Sequence, residues 1–273
     1  MKPILLGAMT LVILVTATYN ITTRTPSHER NWQDFSARTP DAIITPERIT
    51  LKNVRNWNHT ETHTVSQEWV DAVTIDPTTV TRVWFGLSNF SKISALGHTF
   101  LSFELENGEV YTLSIEARRE AGEEYSAFKG LFNTYELLYG WGTERDYVGV
   151  RVHLLQQPIE VYSLLLTEAE ATAVFQAVAT ETHQVAQSPR FYNTITSNCT
   201  NELTQSINKK YPGKIGYHIA HNLPGLSVAY LQDIGLIAAG PRKVIDPEDQ
   251  QLRTARMISP TAYSEAIRLQ LSH

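Results

Sequence analysis

The chain has 273 residues, with 23 Lys and Arg against 28 Asp and Glu, a net charge of −5 and no basic run. That balance argues against a nucleic-acid partner, while a hydrophobic content of 42% supplies one sizeable core. A single cysteine, Cys199, excludes any intramolecular disulfide, so an exported chain carries it as an intermolecular bridge or as a reactive thiol.

No charge falls between Lys2 and Arg24, and Ile4 to Ala17 is almost wholly apolar. At the extreme N-terminus this predicts a membrane anchor or secretory signal over residues 1–23, although the run is short against the roughly 20 residues of a bilayer span. Val15-Thr16-Ala17 offers a cleavage site, and no cysteine stands there for lipoprotein processing. Residues 24–45 carry Thr, Arg and Pro with little periodicity and read as a tether. The main domain is placed at 46–240, and residues 241–273 read as a polar C-terminal extension.

Within that domain, Ile49 to Val54 and Val80 to Leu87 read as strands. His98 to Leu105 and Glu109 to Glu116 alternate about Glu106-Asn107-Gly108, the clearest hairpin in the chain. A two-residue turn mixes apolar with polar side chains on each face. A three-residue loop with Gly108 in the left-handed conformation instead pairs Leu101 with Leu113 and Phe103 with Tyr111, giving one coherent apolar face. The same register sets His98 opposite Glu116, within reach of an imidazole–carboxylate hydrogen bond.

Further along, Tyr125 to Trp141 reads as an aromatic loop or irregular helix, and Val148 to Leu154 and Ile159 to Leu166 as strands. Thr167-Glu168-Ala169-Glu170 is a capping box opening a helix to about His183, with Ala171, Val174, Phe175 and Val178 on its apolar side. Phe191 to Thr196 is β-prone, and Leu203, Ile207 and Tyr211 then recur at helical spacing. Pro224 to Ile237 reads as a last amphipathic helix. Strands, hairpins and flanking helices in this order predict an α+β domain with an antiparallel sheet.

Cys199 therefore falls at a strand-to-helix junction, where first-turn N–H groups and the helix dipole favour the thiolate. A cysteine nucleophile requires a base, and that base requires a third group to fix its tautomer. His98 and Glu116 are the available pair, with the Cys199 N–H and a neighbouring polar group to hold an oxyanion. Taken singly, each residue has a plainer reading: a small buried hydrophobe, a structural strand histidine, and a solvated carboxylate or partner of Arg118 or Arg119. His59-Thr60-Glu61-Thr62-His63 matches no zinc spacing, and neither a metal nor a cofactor is expected.

Four motifs occur in order: Gly97-His98-Thr99-Phe100-Leu101-Ser102-Phe103, Ser114-Ile115-Glu116-Ala117-Arg118-Arg119-Glu120, Tyr135-Glu136-Leu137-Leu138-Tyr139 with Glu144-Arg145-Asp146, and Asn198-Cys199-Thr200. Over roughly residues 48 to 210 they resemble the periplasmic-domain family named after the lipoprotein N-acyltransferase Lnb. The His-before-Cys order with its Asn-Cys pair also resembles circularly permuted papain-like enzymes such as NlpC-type amidases. The resemblance implies a cysteine-bearing helix packed on the sheet, Cys199 as nucleophile, His98 as base and Glu116 as the orienting residue. Asn198, Arg118 and Asp146 fall in the motifs as substrate-binding or structural candidates. It also implies a domain on the periplasmic side of the cell inner membrane, acting on phospholipid or lipoprotein acyl groups through a thioester. A cell-wall peptide amidase and a non-catalytic envelope binding module are the alternatives.

Overall fold

Period-two alternation builds the sheet, and the computed structural model describes residue 15 and residues 18–272. Its strands are β1 (Asp41–Ile44), β2 (Ile49–Arg55), β3 (Asn58–His59), β4 (Thr64–Ser66), β5 (Trp69–Ile75), β6 (Val80–Ser88), β7 (His98–Leu105), β8 (Val110–Arg118), β9 (Glu136–Thr143) and β10 (Ile159–Ser163). Eight of them join in one sheet of order β1-β2-β9-β8-β7-β6-β10, with β5 also paired to β2, while β3 and β4 form a separate ribbon. Every pairing is antiparallel except the short parallel contact between β2 and β9, at Arg55 and Gly142. The helices are α1 (Glu144–Gly149), α2 (Glu168–Gln187), α3 (Cys199–Lys210), α4 (Ser227–Asp233), α5 (Gln250–Ile258) and α6 (Pro260–Leu271). The fold is thus α+β, with a mixed, mostly antiparallel sheet.

The central hairpin has the register that burial of one apolar face demands. Leu101 lies opposite Leu113 and Phe103 opposite Tyr111, and Gly108 adopts φ +81° in the turn, a conformation that costs an L side chain more than glycine. On this face α2 and α3 cover the sheet. Phe103, Trp141 and Phe175 pack with ring centroids 5.2–5.8 Å apart, and the Trp141 indole donates to Thr182 Oγ1 at 2.9 Å. The capping box that opens α2 is present, with Thr167 and Glu170 satisfying each other's backbone donors.

The other face is buried too, which alternation in one hairpin does not reveal. Phe100 and Trp84 pack there with Val148, Val152, Leu252, Tyr263 and Ile267. Residues 241–273, expected as a polar extension, thus supply α5 and α6 to a second core. Arg268 fastens α6 to the sheet by stacking over Trp84 at 4.1 Å and donating to Glu144 at 2.8 Å.

Other elements differ from expectation for local reasons. Within the segment read as a tether, Asp41–Ile44 pairs with β2, and Arg30 reaches the buried Glu136 at 2.8 Å. Tyr125 to Trp141 is loop only in its first half, since Glu136–Thr143 is a strand buried along its whole length. Val148 to Leu154 is helical, completing α1 and one π-helical turn. Thr143 caps α1 by accepting from the Asp146 N–H, and Val148 and Val152, four apart, share its apolar side. Phe191 to Thr196 forms only isolated bridges, because Asn193 Oδ1 accepts from the N–H groups of Ile195 and Thr196 and turns the chain. Pro224 to Ile237 yields a 3₁₀ turn and the short α4 rather than one helix.

Phe175 is fully buried at the centre of the aromatic cluster. Phe175→Ala should cost about 3–5 kcal/mol, read as a lower urea midpoint with an unchanged slope.

Candidate active site

Cys199 is placed by the cap of its own helix. Asn198 is the N-cap of α3, its Oδ1 accepting from the Asn201 N–H at 2.9 Å. Its amide donates in turn to the Thr194 and His221 carbonyls, both at 2.9 Å. The buried Asn198 thus fastens the helix start to two loops, and the first residue it presents is Cys199. Thr200 then touches the sheet, its hydroxyl 3.0 Å from that of Thr99 at the start of β7.

His98 begins the same strand, one residue before Thr99. Its Nε2 lies 2.7 Å from Ser114 Oγ and 3.4 Å from Glu116 Oε1, and Ser114 Oγ lies 2.6 Å from Glu116 Oε1. A carboxylate only accepts, so the Ser114 hydroxyl donates to Glu116 and accepts from the His98 Nε2–H. This chain fixes the tautomer and leaves Nδ1 as the basic nitrogen. Arg151 completes the group by donating to Glu116 Oε1 at 2.9 Å.

The charges of these groups act on one another. Burial pushes the Cys199 thiol up, but the charge of the His98 imidazolium, which lines the same cleft, brings it down to about 7. Burial pushes His98 down, yet the Glu116 carboxylate and the thiolate raise it to about 9. Burial also opposes ionisation of Glu116, and His98, Arg151 and Ser114 overcome it, holding the carboxyl well below its usual range. Because the imidazole holds its proton to a higher pH than the thiol does, the resting pair carries substantial thiolate–imidazolium character near neutrality.

The three side chains open onto a cleft of ≈ 680 Å³ whose walls include Phe90, Leu96, Tyr125, Leu154 and Leu155. Arg55, Trp57, His59 and Tyr147 line it as well. Glycines in β9 make room for Tyr147: a Cβ on Gly140 would lie 2.1 Å from its hydroxyl, and one on Gly142 2.7 Å from its ring. Asp146 lies behind this wall, fully buried, and binds Arg55 through two contacts of 2.7 Å, the Trp57 N–H at 2.9 Å and His59 Nε2 at 3.3 Å. Its carboxyl, raised by burial but lowered further by Arg55 and His59, falls to about 2.

Cys199, His98, Glu116 and Asn198 thus meet at one site, whereas Asp146 stands behind the cleft wall and Arg118 elsewhere. Arg118 is buried under the N-terminal segment, donating to the carbonyls of Ser36 and Ala37 and stacking over Trp32 at 4.2 Å. Sequence reasoning did not assign Ser114 its bridging role, though its place two residues before Glu116 on one face was visible. It missed Arg151 because the segment around it read as a strand. His59, set aside as a metal ligand, turns inward to Asp146, while His63 stays with Thr60 and Thr62.

The α+β domain gathers a thiol, an imidazole and a carboxylate along one cleft. The family model described as Lnb N-terminal periplasmic domain matches residues 66–223, and the chain belongs to that family. The matched span holds all six candidate residues, and the family indicates exposure to the periplasm. Comparison with curated proteins and with solved structures gives no match. Among the described residues no helix is long and apolar enough to cross a membrane. The expected anchor, residues 1–23, lies outside those residues except for Val15 and residues 18–23.

The relay makes a graded prediction for His98. Its imidazole, followed by NMR, should titrate well above the ordinary ~6.5 in the wild type. Glu116→Gln, which removes the charge, should lower that titration more than Ser114→Ala, which removes only the bridge. Equal titration in all three proteins would contradict the relay.

Proposed function

We propose that the protein is a cysteine acyltransferase or hydrolase working on lipid or lipoprotein acyl groups at the outer face of the cytoplasmic membrane. The observation that carries this reading is the Cys199–His98–Glu116 grouping at the edge of a cleft with apolar walls. The order of these residues along the chain also fits a circularly permuted papain-like plan, with the cysteine helix packed on a sheet that carries the base.

In the proposed reaction the Cys199 thiolate attacks the carbonyl carbon of an acyl ester, and the carbonyl electron pair moves to oxygen. The Cys199 and Thr200 N–H groups at the start of α3, ahead of the capped Asn201, have no acceptor within the helix and stabilise that oxyanion. As the oxyanion collapses, the carbon–oxygen bond to the alcohol breaks and the His98 imidazolium gives the alcohol its proton. The acyl group is left on sulfur as a thioester. An amine or water then attacks, neutral His98 takes the proton released, and the carbon–sulfur bond breaks to restore the thiolate. Glu116, acting through Ser114, holds the imidazole in position throughout.

Incubation with vesicles containing acyl-labelled phospholipid, followed by acid quench, should leave label on the wild-type protein that neutral hydroxylamine releases. Cys199→Ala should carry none. Absence of a labelled protein would contradict the lipid reading, and release of soluble peptides from peptidoglycan in its place would assign the thiol to an NlpC-type amidase.

A further inference from the structure

Two phenols beside the thiol hold a proton that no hydrogen bond of the protein uses. Tyr125 and Tyr192 line the cleft that holds Cys199, and their hydroxyl oxygens lie 3.3 Å apart. Each phenol carries one proton, and the bond between them consumes one of the two. Among the described residues neither hydroxyl makes another hydrogen bond, so one O–H is left to donate.

A tight return of the chain brings Tyr192 to the thiol. Asn193 and Ser197 form a β-bridge, bonded in both directions at 3.1 and 3.0 Å, which closes the loop between them. Tyr192 enters this loop and Asn198 leaves it, so the two stand side by side, and Cys199 follows Asn198. The Tyr192 ring is buried and packs at Gly130, where a Cβ would lie 3.3 Å from its edge. Tyr125 arrives from the aromatic loop, stacked on Tyr135 with ring centroids 5.8 Å apart. Tyr135 donates its own proton to the Glu124 carbonyl at 2.8 Å and accepts from the Ser126 N–H at 2.9 Å, which pins the backbone on both sides of Tyr125. Burial, and with it the charge of the nearby Cys199 thiolate, pushes both phenols up, so both keep their protons.

The resting sulfur already has the His98 imidazolium as its counter-charge, whereas a substrate carbonyl oxygen becomes charged only as sulfur attacks. A donor fixed in the cleft and otherwise unspent is of most use to that second charge. We propose that the Tyr125–Tyr192 hydroxyl pair donates the side-chain hydrogen bond to the oxyanion formed at Cys199, alongside the Cys199 and Thr200 N–H groups. This assignment rests on the acyl-transfer reading and names a further catalytic group within it. The phenol keeps its proton throughout. The sulfur–carbon bond forms, the carbonyl pair moves to oxygen, and the hydrogen bond strengthens without transfer, so the proton balance of the reaction is unchanged. A phenol that accepts from a second phenol is also polarised into a better donor, which gives the mutual bond a purpose.

Two reactions of the same sulfur separate this role from a structural one. Alkylation by iodoacetamide displaces iodide at a saturated carbon and forms no oxyanion. Acylation by p-nitrophenyl butyrate passes through an oxyanion and releases p-nitrophenolate as a burst. In the full-length double variant Tyr125→Phe/Tyr192→Phe, the alkylation rate and its pH midpoint should match the wild type, while the acylation burst slows about 100-fold. The single variants then show which hydroxyl faces the oxyanion. Tyr135→Phe, which loses a hydroxyl already spent on the Glu124 carbonyl, should keep the wild-type ratio of the two rates. An undiminished burst in the double variant, with a wild type that acylates, would overturn the assignment and leave the acyl-transfer reading standing. So would alkylation that slows in step with acylation, or a raised alkylation midpoint, either of which would give the hydroxyls to the support of the resting Cys199–His98 pair. A wild type that is alkylated but never acylated would remove the acyl-transfer reading itself, and this assignment with it.

Discussion

The site depends on a charge pair that burial alone would forbid. A thiol and an imidazole taken out of water both favour their neutral forms, and here each favours the other's charged form against that burial, with Glu116 beyond the imidazole. Removing any member leaves the rest to bear the desolvation cost unaided. Much of the surrounding structure serves to keep these groups in register. The hairpin loop sets His98 on the strand beside Ser114 and Glu116, and the Asn198 cap fixes where α3 begins. Arg151, delivered by the π-helical turn after α1, neutralises the far side of the carboxylate.

A second buried charge cluster supports the opposite wall of the cleft. Asp146 is coordinated by Arg55, His59 and the Trp57 backbone, and Arg55 stacks over Tyr147 at 4.3 Å. These contacts tie β2, β3 and α1 together at the one place where the sheet runs parallel. Buried ion pairs of this kind contribute little net stability over an apolar replacement, but losing one partner is severe, about 3–5 kcal/mol. The cluster therefore fixes geometry more than it adds stability. Its place behind the wall sets Asp146 apart from the thiol group, in contact with Arg55, Trp57 and His59.

Much of the thiol site was legible in the sequence because it rests on local rules. Period-two alternation and the left-handed Gly108 gave the hairpin register, and that register alone brought His98 and Glu116 together. Helical spacing after Asn198 put Cys199 at a helix start. The less legible parts depend on distant contacts. The alternating Val148 to Leu154 imitates a strand, and only the Thr143 cap and packing against Tyr263 and Ile267 make it helical. Phe191 to Thr196 is rich in β-forming residues, but the Asn193 side chain turns it. The polar appearance of residues 241–273 hides a spaced set, Leu252, Ala255, Tyr263, Ile267 and Leu271, which is apolar only on the side facing the sheet.

The account stands on the Cys199–His98 pair, and the pH dependence of Cys199 alkylation by iodoacetamide tests it most directly. In the wild type the rate should follow an apparent pKa near 7. In His98→Ala, burial is no longer opposed by the imidazolium, so the apparent pKa should rise to or above the ordinary thiol value of ~8.5 and the rate at neutral pH should fall. A thiol that titrates identically in both proteins, or that stays inert while the cleft admits the reagent, would contradict the pair and the chemistry built on it.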